Sequence, residues 1–237
     1  MTKSPDLAVL YPDIAAEGSL AAALQTVAAR DGISVPFQVS ESDPLLYAFV
    51  ESTVPHRTVL GISGWVAERR WSIRGCEAFQ DLALVDGRAE DLTQVVRAAQ
   101  AWHAGAELVD IQRAAPFVHL TGRYEVAEHD PAQLTESEWQ HLRTEAGELD
   151  WPEYHALIEA AYAEPALRRL YPFTSHWTLR FSTSTRPDLT IVAMCLNAHR
   201  EKPYTVSTSY MGEVLAETTT AEEAVATAVR HLPQAAD

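Results

Sequence analysis

The stretch 170–185, LYPFTSHWTLRFSTST, carries residue types suited to chemistry. If it forms one strand, alternation places His176 and Arg180 on one face and an apolar set on the other, namely Trp177, Leu179 and Phe181. An imidazole and a guanidinium can together bind a carboxylate, sulfate or phosphate and supply a proton. We therefore predict His176 as a catalytic residue and Arg180 as a substrate-binding residue. The alternative is a solvated sheet face with a structural Arg–carboxylate pair.

A second cluster lies in residues 64–75, GWVAERRWSIRG, where arginine is unusually dense. Strand alternation places Arg70 and Arg74 on the side of Glu68, and Arg69 on the side of the tryptophans. This pattern predicts an anion-binding patch with Arg70 and Arg74 as ligands and Glu68 as the carboxylate for acid–base work. The plainer interpretation is that these arginines pair with carboxylates or stack on the tryptophans.

The run YTVSTSY adds Tyr204 and Ser207 as candidate hydrogen-bonding residues for a polar substrate, although such residues are ordinary on solvent-facing strands. The chain has no phosphate-binding Gly-rich loop, no dinucleotide fingerprint and no GxSxG elbow. No two histidines have metal-ligand spacing, so we expect neither a metal nor another cofactor. Cys76 and Cys195 lack a CxxC partner and are interpreted as small core residues.

The elements that position these residues follow from periodicity. Helices are predicted over 18–32, with Ser19 as N-cap, over 91–103, over two segments between 135 and 164, and over 221–232. Capping-box patterns predict helix starts at Thr135, with Glu138, and at Thr220, with Glu223. Residues 35–85 and 171–218 have the short β-rich runs and turns of antiparallel strands.

These elements predict an α+β fold: two antiparallel β-meanders, each followed by a packing helix, bridged by central helices. A weak repeat supports this, since the apolar positions of the two helices correspond: Leu92, Val95, Val96 and Ala99 in one, and Val225, Ala228, Val229 and Leu232 in the other. We expect residues 1–237 to form a single compact body with a cleft between its halves. Its parts are an N-terminal α+β half (1–105), a helical connection (106–170) and a C-terminal meander with its helix (171–237).

Charge and hydropathy restrict the partners. The net charge of −15 argues against nucleic acid, because binding it requires many Lys and Arg contacts to phosphates. There is no apolar run of about 20 residues for a membrane span and no signal-peptide pattern at the start. The sequence therefore predicts a cytoplasmic protein with no membrane association.

Three segments together carry a resemblance: DGRAEDLTQVVRAAQAWHAG, ALIEAAYAEPALRRLYPFTSHWTLRFSTST and GEVLAETTTAEEAVATAVRHLP. They resemble an actinobacterial family of unknown function labelled natural product biosynthesis protein, from about residue 65 to the C-terminus. The chain is also similar to the larger component of the aziridine-forming, sulfate-eliminating proteins of azinomycin-type pathways. The segment after the central run, RPDLTIVAMCLNAHREKPY, departs from the family, so the substrate does not follow from the resemblance.

Two functional hypotheses result. The first is a cofactor-free tailoring enzyme of secondary metabolism that acts on an anionic biosynthetic intermediate, for example by intramolecular substitution that forms an aziridine with loss of sulfate. The second is a non-catalytic protein that binds an intermediate or another protein of the pathway. A small protein partner or a homo-oligomer is compatible with both.

Overall fold

The computed structural model describes residues 7–126 and 128–232. The chain divides into two compact units, Met1–Thr121 and Gly122–Asp237. Each unit contains an antiparallel meander and packing helices, so the predicted α+β fold is confirmed. Within the described ranges, no helix has both the length and the apolar character required to cross a bilayer.

The first unit begins with three helices and continues into a meander. Its elements are α1 (Leu7–Leu10), α2 (Pro12–Glu17), α3 (Leu20–Arg30), β1 (Gln38–Val39), β2 (Tyr47–Val50), β3 (Arg57–Gly64), β4 (Trp71–Glu77), β5 (Ala83–Ala89), α4 (Leu92–His103), α5 (Leu108–Ala114) and β6 (Val118–Leu120). Each strand pairs antiparallel with the next in sequence, from β1 to β6.

Helices α3 and α4 cover one face of this sheet. As predicted, the Ser19 hydroxyl caps α3 by accepting a hydrogen bond from the Ala22 N–H, and α4 buries its apolar stripe in the core. Trp102 of α4 packs directly on Gly75, where a Cβ would lie 2.5 Å from the indole. Side chains of the opposite sheet face, such as Tyr47 and Arg74, are exposed. The sheet thus has one helix-covered face and one open face.

The second unit likewise begins with three helices, continues into a meander and ends with a helix. Its elements are α6 (Pro131–Glu148), α7 (Pro152–Ala163), α8 (Pro165–Arg168), β7 (Tyr171–Ser175), β8 (Thr178–Ser182), β9 (Ile191–Asn197), β10 (Tyr204–Ser207), β11 (Val214–Thr218) and α9 (Ala221–Arg230). The strands again pair sequentially, in the order β11-β10-β9-β8-β7. The predicted cap of α9 is confirmed, because the Thr220 hydroxyl accepts a hydrogen bond from the Glu223 N–H.

The predicted start of the first central helix is wrong. Helix α6 begins at Pro131, and the Asp130 carboxylate caps it by accepting from the Gln133 N–H. Thr135 and Glu138 are buried inside the helix. The Glu138 carboxylate binds the Arg123 guanidinium at 2.7 and 2.9 Å rather than a backbone N–H at the helix start. A local pattern therefore suggested a cap where the tertiary fold supplies an ion pair.

The prediction of one strand through His176 is also wrong. His176 and Trp177 form the two-residue turn between β7 and β8, both with positive φ, at 51° and 65°. Leu179 and Phe181 are fully buried as predicted, whereas Trp177 is 44% exposed. Its ring contacts Tyr154 edge-on instead of entering the core between the sheet and helices.

The central helices belong to the second unit. Helices α6 and α7 share a core with β8, β9 and α9, whereas α5 and β6 belong to the first unit. The boundary at Thr121 and Gly122 thus differs from the predicted segments 1–105, 106–170 and 171–237. A single body with a cleft between its halves stays a prediction.

Candidate functional site

The predicted site residues of the second unit occupy different environments. His176 lies in the hairpin turn and stacks on Tyr210, with ring centres 5.2 Å apart. Arg180 lies on β8 with its guanidinium 5.1 Å from the Phe173 ring centre, and its Nε is buried without a hydrogen-bond partner. Because β8 begins only at Thr178, the predicted alternation of His176 and Arg180 on one strand face is not formed.

The two hydroxyl residues predicted to bind substrate are buried. Tyr204 contributes to the core, and the Ser207 hydroxyl donates to the Ser209 carbonyl at 3.0 Å. Ser207 and Arg180 lie on either side of β9, where each is paired directly with Cys195. Burial raises the pKa of the Cys195 thiol, and the lowering effect of Arg180 is smaller. Cys195 is therefore a buried thiol, as the sequence suggested.

In the first unit, Glu68 and Arg70 form an ion pair of 3.1 Å. Arg70 also lies 3.2 Å from Glu90, and its guanidinium covers the Trp65 ring at 5.4 Å. Arg69 binds Asp13 through both terminal nitrogens. Pairing and stacking, the plainer interpretation, therefore describe these two arginines.

Arg74 has a different position, in a row that crosses the open face of the first sheet. Direct pairing aligns Phe49 on β2, Gly61 on β3, Arg74 on β4, Asp86 on β5 and His119 on β6. Neighbouring strands are about 4.8 Å apart, so the row presents an apolar ring, a gap, a cation, an anion and an imidazole in that order. We call this set the central row.

A second row runs beside the first. It aligns Tyr47, Ser63, Ser72 and Arg88 on strands β2 to β5. The two rows line a depression of about 800 Å³, within the range of small-molecule sites. We call this depression the groove.

Arg74 and Arg88 are the cations of the groove, and neither lies within salt-bridge distance of a carboxylate in the described part of the chain. Arg74 Nε donates to Cys76 Sγ at 3.3 Å, and this hydrogen bond raises the pKa of the guanidinium, which stays charged. Diagonal neighbours on paired strands are roughly 7–8 Å apart, so the backbone positions of Arg74 and Arg88 allow one anion to bind both when the Arg74 side chain turns away from Cys76.

Trp65 holds Arg88 in place. The Arg88 guanidinium lies 5.1 Å from the ring centre of Trp65, and the indole N–H of Trp65 donates to the Ser72 hydroxyl at 2.6 Å. The Tyr11 hydroxyl in turn donates to the Trp65 carbonyl at 2.7 Å. A hydrogen-bonded indole therefore supports one of the two unpaired guanidinium groups.

Sequence patterns indicated Arg74 as a site residue but not Arg88, Asp86 or His119. Asp86 and Arg88 do alternate in the strand segment VDGR, which was the available signal. Their approach to Arg74 depends on strand register, which the sequence alone did not give. In the described residues, no group of three or more His, Cys, Asp or Glu side chains is arranged to hold a metal ion.

A polar cluster of the second unit is already internally paired. Glu136 accepts hydrogen bonds from the Tyr162 hydroxyl at 2.6 Å and from Arg168 at 3.0 Å. The guanidinium groups of Arg143 and Arg168 each lie 4.3 Å from the Tyr162 ring centre. Since Glu136 neutralises Arg168 and Glu159 neutralises Arg143, this cluster is a weaker candidate for anion binding than the groove.

We predict that Tyr162→Phe raises the pKa of Glu136. Burial alone would raise this pKa, but hydrogen bonds from Tyr162, Gln140 and Arg168 outweigh it and lower the pKa below 4.5. A carboxylate with a lowered pKa stabilises the fold above its unfolded pKa, and this contribution is lost as the pH falls through the folded value. NMR titration of the side-chain carboxyl measures the change.

Tyr124→Phe is the control, since the Tyr124 hydroxyl donates its hydrogen bond to the Gln133 carbonyl and not to Glu136. An equal pKa shift of Glu136 in both variants would contradict the role given to the Tyr162 hydrogen bond.

The two units define an α+β protein built from helix-packed antiparallel meanders. Residues 133–237 match the model of a family described as a family of unknown function, DUF6193. The match falls within the second unit and does not include the groove. Neither the curated proteins nor the solved structures gave a match to the chain.

Proposed function

We propose that this chain is a cofactor-free tailoring protein of natural-product biosynthesis that binds an anionic small molecule in the groove of its first unit. The pathway assignment rests on the sequence resemblance, and the anion-binding role rests on the groove. The observation that carries the latter is the pair Arg74 and Arg88, two cations with no carboxylate within salt-bridge distance in the described part of a chain of net charge −15.

The electrostatic argument follows from this charge. In a strongly acidic protein, a surface arginine has many carboxylates available, as Arg69 and Arg70 illustrate. Two arginines that form no salt bridge on one sheet face provide planar donors for an oxyanion of a ligand. Tyr47 and Phe49 at the other end of the two rows supply apolar surface for the remainder of the molecule.

We also propose that the ligand is an intermediate of a cytoplasmic pathway. A sulfate ester is one anion that suits paired guanidinium groups, and the aziridine-forming substitution with loss of sulfate remains the specific reaction that we propose. In that reaction the two arginines would stabilise the departing sulfate. Binding without turnover, the role of an intermediate carrier, is the alternative, and the groove supports both through the same contacts.

The test is calorimetric titration with 3-phenylpropionate and phenyl sulfate, with 3-phenylpropanamide as the uncharged comparison. We expect both anions to bind and Arg74→Ala to weaken their binding about 10- to 100-fold, since a charge-assisted hydrogen bond contributes about 1.5–3 kcal/mol. Release of sulfate from 2-amino-3-phenylpropyl hydrogen sulfate, whose amine can displace the sulfate and lose a proton to close an aziridine, is measured in parallel and distinguishes turnover from binding alone.

Two variants serve as comparisons. Arg97→Ala removes the same charge from an exposed position on α4, away from the groove, and should leave the affinity unchanged. Arg180→Ala tests the cation that the sequence analysis predicted in the second unit. Equal weakening by Arg74→Ala and Arg97→Ala would contradict a specific site, and loss of binding only in Arg180→Ala would assign the anion to the second unit.

A further inference from the structure

The groove contains one carboxylate that faces the same side as its arginines. Asp86 lies directly opposite Arg74 on the neighbouring strand and two positions before Arg88 on its own strand. Its side chain is 54% exposed, and no salt bridge joins it to either arginine in the described structure. His119 Nδ1 lies 3.3 Å from Asp86 Oδ1 and holds the carboxylate from the β6 side. The groove therefore presents one negative group beside two positive groups, Arg74 on the adjacent strand and Arg88 on the same strand.

Gly61 gives the groove its third feature. It lies between Phe49 and Arg74 in the central row, and a Cβ built on it would meet only the Arg74 carbonyl oxygen, at 3.7 Å. The position therefore has room for a side chain, yet its residue has none. The gap lies next to the aromatic ring of Phe49 and leaves space for an apolar group of a ligand.

We infer, in an argument that rests on the proposed function, that the ligand is a zwitterionic α-amino acid with an aromatic or large apolar side chain. A biosynthetic intermediate that keeps such an amino-acid group would bind in the same way. Its carboxylate binds Arg74 and Arg88, its ammonium group binds Asp86, and its side chain lies over Gly61 against Phe49. The central row provides one complementary feature for each substituent on the Cα of an amino acid, namely the gap at Gly61, the cation Arg74 and the carboxylate Asp86. An isolated anion would leave the Asp86 carboxylate as a repulsive neighbour.

The test compares three probes that differ in one charged group each: L-phenylalanine, 3-phenylpropionate without the ammonium group, and 2-phenylethylamine without the carboxylate. On the unmodified protein we expect L-phenylalanine to bind roughly tenfold more tightly than 3-phenylpropionate, a difference of about 1.4 kcal/mol. We expect 2-phenylethylamine to bind most weakly, because the groove contains two cations and one carboxylate.

Asp86→Asn should remove the preference for L-phenylalanine over 3-phenylpropionate, whereas Asp110→Asn, at a half-buried position on α5 outside the groove, should preserve it. Gly61→Val fills the gap and should bring the affinity for L-phenylalanine down to that for glycine. Valine is a favourable strand residue at a position with this space, so the sheet should be retained, as circular dichroism would verify.

The outcomes separate the two proposals. If 3-phenylpropionate binds as tightly as L-phenylalanine, or if Asp86→Asn leaves their ratio unchanged, the zwitterion assignment is overturned while anion binding stands. If none of the three probes binds the unmodified protein, both proposals are overturned.

Discussion

Glu138→Ala should destabilise the second unit by about 3–5 kcal/mol, the usual cost of removing one partner of a buried ion pair. The Arg123 and Glu138 side chains are 10% and 6% exposed, and their contact is bidentate. Removing the carboxylate deprives a nearly buried guanidinium of the two charge-assisted hydrogen bonds that it makes to Glu138. Urea denaturation, followed by circular dichroism at neutral pH, measures the change.

A matched pair in the same unit provides the control. Arg143 and Glu159 form a similar bidentate contact, at 2.7 and 3.0 Å, but their side chains are 33% and 37% exposed. Because water screens this pair, Glu159→Ala should cost only about 0–1 kcal/mol. If both variants lose equal stability, burial does not determine the contribution of the Arg123–Glu138 pair.

The double variant Arg74→Ala/Arg88→Ala should reduce the affinity for 3-phenylpropionate roughly 100-fold or more, since it removes both guanidinium contacts of the proposed anion site. The two side chains are diagonal neighbours on paired strands, so one carboxylate can accept from both. Their contributions should then be non-additive, with a coupling energy of about 0.5–3 kcal/mol in a double-mutant cycle. Calorimetry on the four proteins of the cycle gives this energy.

The combination Arg74→Ala/Arg97→Ala is the control cycle, because Arg97 lies on α4 and outside the groove. There we expect the two losses to add within about 0.5 kcal/mol. Additive losses for Arg74 and Arg88 as well would contradict a shared anion and indicate separate contacts on the ligand.

Local patterns in the sequence were sufficient for much of the fold. An apolar helix face and an N-cap each depend on residues within one or two turns of the chain. The apolar faces of α3, α4 and α9 and the N-caps Ser19 and Thr220 could therefore be predicted without knowing which elements pack against these helices. The meanders were likewise readable from short β-rich runs. The start of α6 failed because Glu138 binds Arg123, fifteen residues earlier in the chain, and no local pattern specifies that contact.

The candidate site depended more strongly on tertiary structure. The sequence by itself singled out Arg74 and excluded nucleotide-binding motifs, because residue type and local density carry that information. Only strand pairing placed Gly61 and Asp86 on either side of Arg74, since register combines residues that are distant in sequence. Only the hairpin geometry removed His176 from the face of Arg180, because a two-residue turn with positive φ interrupts the alternation of side chains. The sequence thus determined most of the helices and strands and one cation of the groove, while strand register decided which side chains share the groove.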